Sequence, residues 1–553
     1  MKLLSVSDLT YTYPGMTEPT LKDLNFDLSE GDFVVLCGQT GSGKSTFLRM
    51  LKEELRPLGE MKGSITYLKD GIVTGFVAQD PHEQVVTDKV WHELVFGMEN
   101  YGYSQERMAS RAAEMAEYFG IDDWYEKNVN ELSGGQLQIL NLASVMVTDP
   151  DILILDEPAA QLDPVSTSAF FTALRKLNRD FAVTIIIAEH RLEELIYKDD
   201  RLLVMENGML VTDAEVSKAI RDIKMSSPLF EALPASYRLY EIMGMSGCTD
   251  RVPLAVRDGR DIVRQLINLK KSENYEKSDI SQAESSEQRV SSSAGIPLAE
   301  KALEMKNVFF RYDRYSKDIL TGFDLTVFKD EIFCVLGGNA SGKTTAVRCA
   351  AGLALSYSGT VKVFGKKLKE YKNESLYNSC IAMLPQDVRT LFLYNTVREE
   401  VESMSGKDER ERIFELLKPV CDIRALYGKH PYDLSGGEQQ ILGFAKVLAS
   451  DPKLILADEP TKGMDAGKKR LFADILKNLK KSGITCVIVT HDAEFAALCA
   501  DRCALCFKGA IVSEGEPVGF FENNGFYTTS ACRMTKGILS LAVTVDGIVR
   551  QLS

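Results

Sequence analysis

The chain has 553 residues, too many for one compact core, and a formal net charge of −14 that opposes non-specific binding to nucleic-acid phosphates. Its mean hydropathy of −0.10 is that of an ordinary soluble globular protein. No apolar run approaches the ~20 residues of a membrane-spanning helix, and the first residues lack a basic start followed by a long apolar core, so neither a membrane anchor nor a secretory signal is expected. Eleven scattered cysteines, an odd number, fit reduced cytoplasmic thiols rather than a disulfide framework.

The apolar run Phe33-Val34-Val35-Leu36 predicts a buried strand, and the residues from 46 to 55 predict a helix. Between them stands Gly38-Gln39-Thr40-Gly41-Ser42-Gly43-Lys44-Ser45-Thr46. Glycines there let backbone N–H groups wrap phosphates, and the following helix start adds favourable partial charge. Lys44 is placed to reach the β- and γ-phosphates of a nucleotide, and Ser45 to ligate Mg²⁺. Gln79 follows a further short strand and is a candidate sensor of Mg²⁺ and of the attacking water. Strands at 152–155 and 183–187 end at Asp156-Glu157 and shortly before His190. Carboxylates at the C-terminal edge of an open sheet suit a bound ligand there: Asp156 to hold Mg²⁺ and Glu157 to polarise water, with His190 at the γ-phosphate.

After residues 226–269, whose apolar periodicity suggests a small accessory domain, residues 270–301 carry five basic and six acidic residues and almost no large apolar ones. That composition reads as a flexible linker. Beyond it the motifs return in the same order. A second glycine-rich loop runs Gly337-Gly338-Asn339-Ala340-Ser341-Gly342-Lys343-Thr344-Thr345, with Ala340 where the first has Gly41. Gln386, Asp458, Glu459 and His491 follow, and Tyr13 and Tyr312 precede the first core strand of each copy, placed to stack on adenine or to pack in the core. Lys44 and Lys343 stand 299 residues apart, Asp156 and Asp458 302, and His190 and His491 301. So constant an offset marks a duplicated domain. Cys499, Cys503 and Cys506 have the spacing of an iron–sulfur triplet, but their helix-like and strand-like surroundings favour packing in the core.

Leu132-Ser133-Gly134-Gly135-Gln136 and Leu434-Ser435-Gly436-Gly437-Glu438 make the pattern specific. Phosphate loop, glutamine, LSGG signature, Asp-Glu and histidine in this order resemble the ATP-binding-cassette family. The resemblance implies an α/β fold of two P-loop nucleotide-binding domains in tandem, each with a helical signature subdomain, and a small accessory segment after the first. The corresponding boundaries are 1–215, 216–269 (accessory), 270–301 (linker), 302–518 and 519–553 (C-terminal tail). It also implies head-to-tail pairing in ATP hydrolysis. One site would use Gly38, Gly41, Gly43, Lys44, Ser45, Thr46, Gln79, Asp156, Glu157 and His190 with Ser435, Gly436 and Gly437. The other would use Gly337, Gly342, Lys343, Thr344, Thr345, Gln386, Asp458, Glu459 and His491 with Ser133, Gly134 and Gly135. Both catalytic sets are complete, so both sites are expected to hydrolyse ATP with Mg²⁺.

Gln79-Asp80-Pro81-His82-Glu83-Gln84-Val85-Val86, followed by Glu93-Leu94-Val95-Phe96-Gly97-Met98-Glu99-Asn100, resembles the ATPases of energy-coupling factor vitamin transporters, and Glu157-Pro158-Ala159-Ala160-Gln161-Leu162-Asp163-Pro164, Ala188-Glu189-His190-Arg191-Leu192-Glu193-Glu194 and Phe526-Tyr527-Thr528-Thr529 with Arg533-Met534 are similar to their fused, two-cassette version. Some of those are assigned to thiamine or hydroxymethylpyrimidine uptake. This narrower resemblance implies a transmembrane scaffold partner and a small membrane-embedded substrate binder, no nucleic acid, and a place on the inner face of the cell membrane. Val85, Val86, Trp91, Leu391, Phe392 and Tyr394 are candidates for partner contact or for core. The alternatives are a tandem cassette acting on ribosomes, whose basic helical linker is missing here, and the tandem ATPase of a sugar importer.

Overall fold

The computed structural model describes residues 1–245, 252–277, 300–372, 375–404, 406–539 and 542–553. The chain divides into two units, Met1–Leu233 with Lys462–Gly467, and Pro234–Thr461 with Lys468–Ser553.

The first unit is built on a six-stranded sheet ordered Thr74–Val77, Ile152–Asp156, Thr184–Ala188, Phe33–Gly38, Arg201–Glu206, Met209–Glu215. All neighbours are parallel except the last pair. The three central strands are buried along their whole length, as their unbroken apolar runs require, whereas the edge strand Met209–Glu215 alternates between exposed and half-buried. Parallel register brings the ends of three strands to one edge: Asp156 pairs with Ala188, and Ala188 with Leu36. A three-stranded antiparallel sheet (Lys2–Thr12 between Leu21–Ser29 and Glu60–Tyr67) shares a core with the helix Lys44–Met50 through Leu9, Tyr11, Phe26 and Phe47. A separate helical layer, Val90–Asn100, Gln105–Phe119 and Gly134–Met146, closes over Leu94, Ala116, Trp124, Leu137 and Leu140.

The second unit repeats this plan. Its six-stranded sheet runs Ile381–Leu384, Leu454–Asp458, Thr485–Val489, Ile332–Leu336, Arg502–Phe507, Ala510–Gly515, with Asp458 paired to Val489. Cys499, Cys503 and Cys506 lie buried on the helix Ala493–Cys499 and on the strand Arg502–Phe507.

This unit also holds a helical module. The helices Ala235–Ile242 and Val256–Lys277 pack with Ser530–Thr535 and Val545–Leu552. Gly259 permits the closest approach, because a Cβ there would lie 2.0 Å from the Met534 sulfur. Arg260 donates to the carbonyls of Arg533 and Lys536, both at 3.0 Å. The helix Val256–Lys277 runs into the stretch read above as linker; residues 278–299 of that stretch lie outside the described residues.

Candidate active site

In the first unit the glycine-rich loop joins the strand Phe33–Gly38 to the helix Lys44–Met50. The buried Lys44 ammonium donates to the carbonyls of Gly38 at 2.9 Å and Gln39 at 3.1 Å. A Cβ on Gly38 would stand 2.4 Å from the Met205 carbonyl oxygen, so the loop's path over the neighbouring strand requires glycine. Gly38→Ala is therefore expected to displace the loop and weaken nucleotide binding by this unit about 100-fold, read by nucleotide fluorescence titration.

Ser45 donates to Asp156 at 3.0 Å, and burial reinforced by Glu157 pushes the Asp156 carboxyl up to about 6. Glu157 sits in the left-handed backbone region, at φ 44°, at a cost of about 1–3 kcal/mol, with its N–H donating to Ala188. Its carboxylate meets Gln79 Nε2 at 2.8 Å, His190 Nε2 at 2.7 Å and the Lys44 ammonium at 3.9 Å. Burial works to raise this carboxyl, but His190 and then Lys44 outweigh it and hold it below its ordinary value. The Tyr13 hydroxyl lies 3.1 Å from Thr46 Oγ1, and its ring stands edge-on to Tyr11.

The second unit places its counterparts alike, apart from the histidine nitrogen that faces the glutamate (Nδ1 in place of Nε2) and three further differences. Lys343 donates to Gly337 and Gly338, both at 2.8 Å. Glu459, at φ 50°, meets His491 Nδ1 at 2.8 Å and is held low against burial by His491 and Lys343. Tyr312, more than half exposed, lies 3.4 Å from Thr345. The first difference is Ala340, which takes the left-handed conformation (φ 58°) that Gly41 adopts in the first loop, a strain of about 1–2 kcal/mol. Second, both carboxylate oxygens of Asp458 are buried without a hydrogen bond of normal geometry, although Thr344 lies beside them, and burial lifts the carboxyl to about 6. Third, Gln386 is exposed, and Thr490 takes up the second oxygen of Glu459, donating at 3.2 Å.

Each LSGG serine caps a helix. Ser133 accepts from Gln136 N while the Gln136 side chain accepts from Ser133 N at 3.0 Å, a reciprocal capping box at the head of Gly134–Met146. Ser435 and Glu438 make the same box at Gly436–Leu448, so glutamate replaces glutamine there with no loss of the cap. Gly135 faces Ser166, whose hydroxyl would lie 2.9 Å from an added Cβ.

The sequence profile of the ABC transporter family matches residues 21–160 and 320–462. An ABC transporter ATP-binding protein of Bacillus thuringiensis subsp. konkukian is 33% identical over 558 residues, spanning 98% of this chain and 97% of the relative. The chain belongs to the ABC transporter family. It is an ATP-binding ATPase with two family cassettes on one polypeptide. A further ABC transporter ATP-binding protein, from Methanosarcina acetivorans, is 30% identical over 93% of this ABC ATPase and 84% of its own length. Among solved structures, archaeal ribosome recycling factor aABCE1, crystallised with ribosomal stalk protein aP1, matches with a TM-score of 0.58 and 18% identity over 93% of this chain and 91% of that one, a likeness of fold.

Three acids of this ABC ATPase gain from the structure a place that their motifs did not give. Glu93, buried, accepts from Val86 N at 3.1 Å, Thr87 N at 2.8 Å and Thr87 Oγ1 at 2.9 Å, fixing the loop after Gln79. Glu400, fully buried, does the same after Gln386, accepting from the N–H groups of Leu393 and Tyr394 and pairing with Lys446. Glu189 lies buried beside His190. A glutamate inside an apolar run, such as Glu93 or Glu189, was the available signal.

Proposed function

We propose that this ABC ATPase energises a membrane transporter of the energy-coupling factor type, taking up a vitamin or vitamin precursor. The observation that carries the reading is a pair of loops, one in each cassette, each held from beneath by a buried glutamate and each presenting apolar side chains to solvent. Val86 is 65% exposed in the first, with Trp91, 38% exposed, on the helix Val90–Asn100 that follows it; Leu393 is 79% and Tyr394 45% exposed in the second. Phe392 by contrast is buried and belongs to the core. Exposed apolar and aromatic residues on a backbone fixed in advance suit a protein partner. In this reading that partner is the transmembrane scaffold, which in turn contacts the small substrate-binding membrane protein, and the ATPase sits peripherally on the membrane's inner face. Among the described residues no helix is long and apolar enough to cross a membrane.

In each cassette the loop lysine, Lys44 or Lys343, binds the β- and γ-phosphates. Tyr13 or Tyr312 supports the adenine, and Glu157 or Glu459 orients the attacking water with its histidine neighbour. The donor set suits Mg²⁺: Ser45 with Asp156 and Thr344 with Asp458 each give one hydroxyl and one buried carboxylate, and neither oxygen of Asp458 has a hydrogen bond of normal geometry. When bound, the ion neutralises charge on the phosphates. Uptake of radiolabelled thiamine or hydroxymethylpyrimidine by cells lacking this chain tests the cargo. Loss of uptake, restored by the parent chain and not by Glu157→Gln with Glu459→Gln, is expected; unchanged uptake of both compounds removes this vitamin assignment.

A further inference from the structure

The two cassettes differ at the residue before the histidine. In the second, Thr490 donates its hydroxyl straight to Glu459 at 3.2 Å and accepts from Asp492 N at 3.0 Å. In the first, the same place is filled by Glu189, 4% exposed, whose side chain is longer and reaches past Glu157. One of its oxygens accepts from the backbone N–H of Ala159, two residues beyond Glu157, at 3.0 Å; the other accepts from its neighbour His190 N at 3.2 Å. A single buried carboxyl thus ties the loop that carries Glu157 to the strand end that carries His190. It opens on a small cleft lined by Cys37, Gly38, Gln39, His190, Leu229 and Asp465.

We propose that Glu189 is a positioning residue for ATP hydrolysis in the first cassette, holding Glu157 and His190 in register, and that the second cassette, with Thr490, has no counterpart to it. The inference rests on the reading of Glu157 with His190 as the hydrolytic pair. Burial pushes the Glu189 carboxyl up to about 8, with Glu157 adding to the rise and the two backbone N–H groups and Arg191 opposing it. The titratable or charged groups facing it are Glu157 from the adjoining loop, His190 and Arg191 on its own strand end, Cys37 on the neighbouring strand, and Asp465 across the cleft. At pH 7 the clamp is protonated and uncharged. Above about pH 8 it loses its proton and becomes a second negative charge beside Glu157, in a buried site. Repulsion then works against the register that the clamp keeps, so the first cassette loses turnover on the alkaline side.

The test isolates the first cassette with Glu459→Gln and follows steady-state phosphate release from pH 6 to pH 9. The rate is expected to fall about tenfold between pH 7 and pH 9, and adding Glu189→Gln, which cannot ionise, is expected to flatten that limb. Adding Glu189→Ala instead removes the clamp and lowers kcat about tenfold or more at every pH, with KM for ATP within about twofold of the parent, and glutamine, which keeps one of the two accepting oxygens, recovers part of that loss. In the reciprocal background, Glu157→Gln, the second cassette shows no such alkaline loss. An alkaline limb that persists unchanged in Glu189→Gln, or a kcat unaffected by Glu189→Ala, overturns the inference. Turnover that survives Glu157→Gln with Glu459→Gln would instead overturn the reading of the hydrolytic pair, so the two failures are distinguishable.

Discussion

Replacing both strand-end glutamates, Glu157→Gln with Glu459→Gln, is expected to lower ATP turnover about 100- to 10,000-fold while leaving ATP binding intact. The groups that would bind phosphate, Lys44 and Lys343, keep their hydrogen bonds to the loop carbonyls and lose only a nearby negative charge, 3.9 Å away in the case of Lys44. Glutamine keeps the volume of glutamate but cannot take a proton from water. His190 and His491 lie within 2.7 and 2.8 Å of the two carboxylates, and both carboxylates are held below their ordinary value. They are therefore ionised at neutral pH, and the activity that depends on them is lost only as pH falls through that depressed value. Each single replacement is expected to remove a substantial part of the turnover, because each cassette has a full set. Phosphate release with nucleotide titration checks this. A double variant that turns over like the parent removes both glutamates from their role, and a single variant that does so makes the two sites unequal.

The largest stability effect is expected at Glu400. Its carboxylate is fully buried, receives the Lys446 ammonium and two backbone N–H groups, and Lys446 itself donates to Leu391 O at 2.6 Å. Glu400→Ala leaves that lysine largely buried without its counter-charge, a loss of about 3–5 kcal/mol for the second unit. Glu93 in the first unit satisfies two backbone N–H groups and one hydroxyl, and Glu93→Ala is expected to cost about 1–3 kcal/mol. Calorimetric unfolding of the two variants ranks them. Equal losses, or a loss below about 1 kcal/mol in Glu400→Ala, would show that the ion pair adds nothing beyond the loop's own hydrogen bonds.

The tandem α/β fold was legible because its signals are local. Unbroken apolar runs of four or five residues became the buried central strands, and the glycine-rich loops lie between strand and helix as their composition demands. The serine and the residue three places on in each signature form a capping box, which also explains why Glu438 serves as well as Gln136. What escaped depends on approach between distant parts of the chain. The helix Val256–Lys277 reaches into a stretch whose polar composition reads as linker; its Glu and Lys residues are good helix formers, and its start is anchored on Met534 and Arg533, far along the chain. Gln79 and Gln386 hold the same place in the repeat, yet the first bonds Glu157 while the second is exposed. Glu189 reads in sequence as one more letter beside a histidine; only the fold brings Ala159 N to within 3.0 Å of it.

Purification of the full chain from detergent-solubilised native membranes, with the co-purifying proteins identified and quantified, tests the transporter reading most directly. The account predicts a polytopic membrane protein and a small apolar membrane protein in near-stoichiometric amounts, with the polytopic one lost when Trp91 and Leu393 are replaced by aspartate. Ribosomal proteins in their place, with no integral membrane partner, would contradict it.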